Sequence, residues 1–240
     1  MNKRGPFKIR RISTFACLLK MSSAAIATTA ARFRAQRIVP VFYHADRAVA
    51  LHVLEICYQA GLTAFEYTNR GPEALENFKF LKAATGHLPH LCLGVGTIFG
   101  LDEAERFLAA GADFVVSPAL VPELAELQSK HNCLWIPGCA TVTEIVHARA
   151  LGATVIKVYP ADVLGPGFVR SVKAVLPDVF LMPTGGIPAD AQALEAWFAA
   201  GAGCVGLGSQ LFQKELLQPS HHHQLKQKLH ALVQGSTILS

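Results

Sequence analysis

The chain has 240 residues, 51% of them hydrophobic and only 16% charged, a composition that supports a large buried core and excludes a globally disordered chain. Its length suits one α/β barrel while leaving one or two domains open, and no uncharged apolar run reaches the roughly 18 residues a membrane-spanning helix needs. The net charge of +5 comes from Lys3, Arg4, Lys8, Arg10, Arg11 and Lys20; residues 21–240 carry 16 basic and 17 acidic side chains, which argues against a nucleic-acid-binding face.

Residues 1–20 admit three readings. They are basic, contain Ser and lack acids, as a targeting segment does. A secretory signal is disfavoured, because the apolar stretch is short and Lys20 breaks it. The third reading is sequence upstream of a true start at Met21. In each case residues 1–20 are expected to be disordered or loosely attached, and residues 21–240 to form one domain. Residues 21–34, MSSAAIATTAARFR, predict a short extra helix with Ser22 or Ser23 as N-cap.

From residue 38 onward, β-rich runs alternate with helical stretches. The predicted strands are Ile38–Phe42, Thr63–Thr68, Leu91–Thr97, Asp113–Ser117, Leu134–Pro137, Thr154–Tyr159, Val179–Thr184 and Gly203–Gly208. Helices are predicted near 45–60, 72–84, 101–110, 119–130, 141–151, 166–176, 190–200 and 221–234. Gly61, Gly111, Gly152 and Gly201 punctuate four helix-to-strand turns, where a left-handed residue ends a helix without a Cβ clash. Strict alternation indicates parallel βα units, and eight of them close most economically into a single (β/α)8 TIM barrel. An open doubly wound sheet is the alternative.

The six cysteines form no C-x-x-C pair and sit mostly in apolar segments, as buried thiols of a reducing compartment do. The ten histidines show no zinc-like spacing, and His221–His223 fits a solvated approach to the last helix.

Two charged residues interrupt apolar strands. Lys157 lies in TVIKVYP, where alternation puts Val155, Lys157 and Tyr159 on one face and Ile156 and Val158 on the other. The second face suits the helices, so Lys157 points inward. Removal from water favours a neutral amine, which can attack a ketone and form a Schiff base. The plainer reading is a lysine that snorkels to the strand end. Glu66, in LTAFEYTNR, shares a face with Ala64 and Thr68, and an inward carboxylate there needs a partner. Arg70 has the same parity at the strand's carboxyl end, where barrel active sites lie. A buried structural Glu–Arg pair is the plainer alternative.

Glycines cluster after the last two strands, in PTGGI (Thr184, Gly185, Gly186) and GLGSQLF (Gly208, Ser209). Loops at these places often bind a phosphate through backbone N–H groups and a helix N-terminus, so Gly185 and Gly186 are expected to open the helix after the seventh strand; ordinary tight turns are the alternative. LGVGTIF places Thr97 at the same mouth. It is no dinucleotide fingerprint, because G-x-G-x-x-G is absent.

FEYTNRG, GVGT, VVSPAL, IPGCATVTE, IKVYPAD and MPTGGI, in this order and spacing, resemble the 2-keto-3-deoxy-6-phosphogluconate (KDPG) aldolase family over residues 36–213. That family includes the 4-hydroxy-2-oxoglutarate and phosphogalactonate aldolases. The resemblance implies a metal-free, cofactor-free class I aldolase, a cytoplasmic homotrimer of carbohydrate metabolism in the Entner–Doudoroff sense. It implies Lys157 as Schiff-base lysine and Glu66 as proton shuttle. It implies Arg70 and Thr97 as carboxylate ligands, Pro118 and Tyr159 as wall residues, and Thr184 as a substrate contact. Gly185, Gly186 and Ser209 would hold the phosphate of a phosphorylated keto sugar acid. Departures are Ser117-Pro118-Ala119 in place of the family's SPG, Tyr67 and Asn69 in EYTNR, and ADVLGPG, closer to the phosphogalactonate branch than MPTGGI is. They bear on sugar stereochemistry. The competing classes are a metal-dependent epimerase, whose inward His and Asp ligands are missing from the predicted strands, and an inactive barrel scaffold.

Overall fold

The computed structural model describes residues 26–238, with the side chains of residues 219, 237 and 238 outside that description. The basic segment 1–20 and the proposed caps Ser22 and Ser23 also lie outside the described residues. A helix, α1, covers 26–36. The first half continues as β1 (Ile38–Phe42), α2 (Arg47–Gln59), β2 (Ala64–Thr68), α3 (Ala74–Ala84), β3 (Cys92–Gly96), α4 (Leu101–Ala109) and β4 (Phe114–Val116). The second half runs α5 (Glu126–Lys130), β5 (Leu134–Ile136), β6 (Gly138–Cys139), α6 (Val142–Ala150), β7 (Ile156–Val158), α7 (Ala161–Val175), β8 (Leu181–Pro183), α8 (Ala191–Ala199), β9 (Val205–Leu207) and α9 (His222–Ile238).

All strand pairs are parallel. One sheet has the order β5-β4-β3-β2-β1-β9 and a second the order β6-β7-β8. Thr184 makes an isolated parallel bridge to Gly206, and the Gly203 N–H donates to the Leu181 carbonyl at 2.9 Å. The architecture is a curled parallel α/β sheet wrapped by helices. The predicted strand Leu134–Pro137 is two short strands. Pro137 has no N–H for the ladder, although its carbonyl accepts from Lys157 N–H at 2.9 Å.

Strand alternation divides the core in two. Phe65, Tyr67, Ile156 and Val158 face the helices, while Val39, Ala64, Phe114, Val155 and Met182 form a second, inner cluster. Ala30 and Phe33 of α1 join that inner cluster, with Phe33 edge-on to Phe114 at 5.0 Å between ring centres. The Gln36 side chain ties α1 to β2, donating to Ala64 O at 2.8 Å and accepting from Ala64 N at 2.7 Å. The extra helix therefore plugs the amino end of the curl.

The turn glycines behave as expected: Gly61, Gly111, Gly152 and Gly201 have φ between +91° and +101°. Side chains start the helices where loops meet them. Asp46 accepts from Ala48 N–H ahead of α2, and Thr141 with Glu144 forms a reciprocal capping box on α6. The helix predicted at 166–176 begins earlier, at Ala161. It is two pieces joined at Gly165, with φ +69°, and Pro166 takes the first turn of the second piece. Among the described residues no helix is long and apolar enough to cross a membrane.

Candidate active site

The inward face of β7 carries Lys157, 5% exposed, and that of β2 carries Glu66, fully buried. Lys157 Nζ lies 3.6 Å from Glu66 Oε1, close enough for ion pairing and too far for a good hydrogen bond. Neither Glu66 oxygen has a hydrogen-bond partner among the described residues. A buried ion pair left without further hydrogen bonds is costly to hold, which makes it a poor stabilising device and a good candidate for chemistry. The Tyr159 ring stands 5.4 Å from the same amine.

Glycine makes room for the carboxylate. Gly96 pairs with Thr68 on the neighbouring strand, and a Cβ added there would fall 1.8 Å from Glu66 Oε1. Any side chain at 96 displaces Glu66. The same device recurs at Gly206, where a Cβ would meet Thr184 Oγ1 at 2.4 Å.

Above the pair opens a cavity of about 750 Å³ at the carboxyl ends of the strands. Of the residues expected there, Arg70, Lys157, Tyr159, Thr184, Gly185, Gly186, Gly208 and Ser209 line it. Glu66 does not itself line the cavity but lies within ion-pairing distance of Lys157, which does. Thr97 and Pro118 follow β3 and β4 at the same end of the sheet but do not line the cavity. Thr97 has φ +64°, an uncommon backbone for a β-branched residue.

Gly185 and Gly186 do not open a helix, contrary to expectation. Helix α8 begins at Ala191, and Asp190 caps it by accepting from Ala193 N–H at 2.9 Å. The two glycines instead form a left-handed bend, with φ +102° and +67°. The N–H groups of Gly186, Ser209 and Gln210 make no backbone hydrogen bond among the described residues. They remain free for an anion, but as a loop cradle and not as a helix terminus.

No motif or pattern points to His44 or Lys214, yet both line the cavity. His44 lies in the loop after β1, a place where the barrel rule puts functional groups. Lys214 sits in LFQKEL, a short helical turn with no motif. Together with Arg70 and Lys157 they give the lining a basic character, and no Asp or Glu is part of it. The thiols offer no rival nucleophile. Burial pushes Cys92, Cys133 and Cys139 up to about 12 and raises Cys57 and Cys204 as well, so the described thiols stay protonated at neutral pH. Among the described residues no group of three or more His, Cys, Asp or Glu is arranged to hold a metal.

Comparison with known proteins agrees with this geometry. Residues 29–228 match the KDPG and KHG aldolase family. The 2-dehydro-3-deoxy-6-phosphogalactonate aldolase of Escherichia coli (strain K12) is 30% identical over 169 residues, 70% of this chain and 80% of that one. A 2-dehydro-3-deoxy-phosphogluconate aldolase of Pseudoalteromonas atlantica is 30% identical over 153 residues, 62% of this chain and 69% of that one. The crystal structure of KDPG aldolase from Legionella pneumophila, with pyruvate captured at low pH as a covalent carbinolamine intermediate, superposes with a TM-score of 0.76 at 27% identity, covering 84% of this chain and 96% of that one. With most of its length inside the family match, the chain belongs to the KDPG and KHG aldolase family.

Proposed function

We propose that the protein is a class I aldolase that cleaves a phosphorylated 2-keto-3-deoxy sugar acid to pyruvate and glyceraldehyde 3-phosphate. The observation that carries this is the buried Lys157–Glu66 pair, 3.6 Å apart, with Lys157 lining an open, basic cavity. The carbinolamine described for the Legionella relative supports the same chemistry here.

Lys157 must first lose a proton, and Glu66 is the adjacent base. The neutral amine attacks C2 of the keto acid to give a carbinolamine; the protonated Glu66 then returns its proton to the carbinolamine hydroxyl, which leaves as water and gives an iminium. Glu66 then takes the proton from the C4 hydroxyl. The C3–C4 bond breaks, the aldehyde leaves, and its bonding electrons pass to the iminium to form an enamine. Protonation at C3 and hydrolysis release pyruvate and restore the amine. A positioned acid–base group of this kind contributes roughly 10²–10⁴-fold. Arg70 is proposed to hold the C1 carboxylate, with Tyr159 bounding the keto-acid end and Thr184 contacting the substrate. Gly185, Gly186, Gly208 and Ser209 are proposed to hold the phosphate, so that remote binding energy fixes C2 against Lys157.

The proposal includes a closed (β/α)8 barrel. The Thr184–Gly206 bridge and the continuity of β5 and β6 through Pro137 support closure. It also includes a cytoplasmic homotrimer, for which Phe99, 60% exposed, and the exposed Val146 and Val163 are apolar surface that a subunit contact would cover.

A panel assay tests the activity. The purified protein is given the gluconate and galactonate epimers of the phosphorylated acid and unphosphorylated 4-hydroxy-2-oxoglutarate, and pyruvate release is followed. Stoichiometric pyruvate from a phosphorylated epimer, at higher kcat/KM than from 4-hydroxy-2-oxoglutarate, is the expected result. Preference for 4-hydroxy-2-oxoglutarate would reassign the substrate to the pyruvate-plus-glyoxylate reaction. A folded protein that releases pyruvate from none of them is the inactive scaffold.

A further inference from the structure

His44 is built into the cavity wall more firmly than a loop residue needs to be. Its carbonyl accepts from the Tyr67 hydroxyl at 3.0 Å and from Asn77 Nδ2 at 3.3 Å, and Asn77 also donates to Ala45 O at 2.8 Å. Tyr67 and Asn77 are both buried, so the loop after β1 is clamped from below. The imidazole stacks against Phe42, 6.4 Å between centres and 12° from parallel, and Phe42 packs on Phe212.

The ring's hydrogen bonding assigns its tautomer. The Asp46 N–H points at His44 Nδ1 at 3.1 Å, which requires a lone pair on Nδ1 and puts the proton of the neutral ring on Nε2. The alternative, Nδ1–H donating to Asp46 O at 3.3 Å, is longer and would turn two hydrogens toward each other. Nε2 has no hydrogen-bond partner among the described residues, the ring's bonds being made by Nδ1. A clamped ring with one committed nitrogen and one free N–H in a cavity wall is a ready donor.

Strand register places that donor. Pro40 pairs with Leu207 of β9 and Phe42 with Tyr67 of β2, so the loop after β1 emerges between the Ser209 turn on one side and the Asn69–Arg70 segment on the other. It therefore borders the free N–H groups of Ser209 and Gln210. Backbone N–H groups alone leave a phosphate dianion's charge largely uncompensated. Lys214, also in the lining and without a carboxylate partner among the described residues, supplies a full positive charge.

We propose that His44 binds the terminal phosphate of the substrate through Nε2–H, with Lys214 providing the charge, and that these two side chains select phosphorylated over unphosphorylated keto acids. This rests on the aldolase reading above. Two variants of His44 separate a substrate contact from a loop-holding role. In His44→Asn the amide oxygen takes the place of Nδ1 and still accepts from Asp46, but the distal donor is gone. In His44→Gln the amide lies near the place of Nε2 and keeps a donor, while the Asp46 contact is lost. Lys214→Met removes the charge and keeps the apolar stem.

The measurements are kcat and KM for the preferred phosphorylated acid, and, as a phosphate-free control, the pyruvate concentration giving half-maximal borohydride trapping. His44→Asn and Lys214→Met should each raise KM for the phosphorylated acid about tenfold or more, the loss expected of a hydrogen bond or charge contact to an ionised group. Half-saturation by pyruvate should stay within twofold of wild type, and His44→Gln should recover part of the His44→Asn loss. An unchanged KM in both His44→Asn and Lys214→Met overturns the proposal. So does an equal rise for the phosphorylated acid and for pyruvate, which would make His44 a loop holder. Failure of wild-type protein to trap pyruvate at all would overturn the aldolase reading itself, and is distinguished by appearing before any substitution.

Discussion

The two ends of the curled sheet use one device for opposite purposes. At the amino end, glycines make room for rings: a Cβ at Gly94 would meet the Phe114 ring at 2.4 Å, and one at Gly203 the Phe180 ring at 2.2 Å. These rings, with Phe33 of α1, fill the interior with apolar contact. At the carboxyl end, Gly96 and Gly206 make room for Glu66 and Thr184, polar groups that face a cavity. Inward positions two residues apart on β2 and β7 thus change from Ala64 and Val155 to Glu66 and Lys157. Stability is concentrated at one end and reactivity at the other, so a change should affect melting or turnover according to its height along the strand.

The largest separation is expected for Lys157→Arg. Arg keeps the charge and approximate length but does not give up its proton, so it forms no imine. Turnover should fall by several orders of magnitude with Tm little changed, as steady-state kinetics and calorimetry would report. Near-normal turnover would remove the distinction between the ends. Gly96→Ala comes next. Its methyl group displaces the Glu66 carboxylate, and kcat should fall by roughly the 10²–10⁴-fold a proton-transfer group contributes. Because φ at Gly96 is not positive, backbone strain does not confound the result.

Phe33→Ala tests the other end. Removing a fully buried ring should cost about 3–5 kcal/mol of unfolding free energy in a denaturant titration, while kcat of the folded fraction holds. A large drop in kcat would mean that the plug transmits to the cavity. The smallest effect belongs to Thr141→Ala, which breaks the capping box of α6. It should cost about 1 kcal/mol of stability and leave kcat alone.

Most of this division was legible in the sequence, because period-2 alternation is a backbone property. Val155 and Lys157 share a parity in the chain and share the interior in the fold, as do Ala64, Glu66 and Thr68, while Tyr159 of the same parity stands exposed at the cavity. The helix-ending glycines were equally legible, since one backbone conformation demands one residue type. What escaped is set by tertiary contacts or by local breaks. Pro137 splits a strand because it lacks one N–H, and Gly165 splits a helix that periodicity reads as beginning later. Gly185 and Gly186 looked like a helix opening, yet Asp190 performs that role five residues after Gly185. His44 and Lys214 carry no motif, and only the register of β1 with its neighbours brings His44 beside Ser209 and Arg70.

The central claim is that the Lys157 amine forms a covalent bond with a keto acid. Incubating the protein with pyruvate, adding borohydride and mapping the adduct by peptide mass spectrometry tests it directly. A single reduced pyruvate adduct on Lys157, abolished in Lys157→Arg and slowed in Gly96→Ala, is the predicted result. A folded wild-type protein with no adduct, or with the adduct on another lysine such as Lys214, would contradict it.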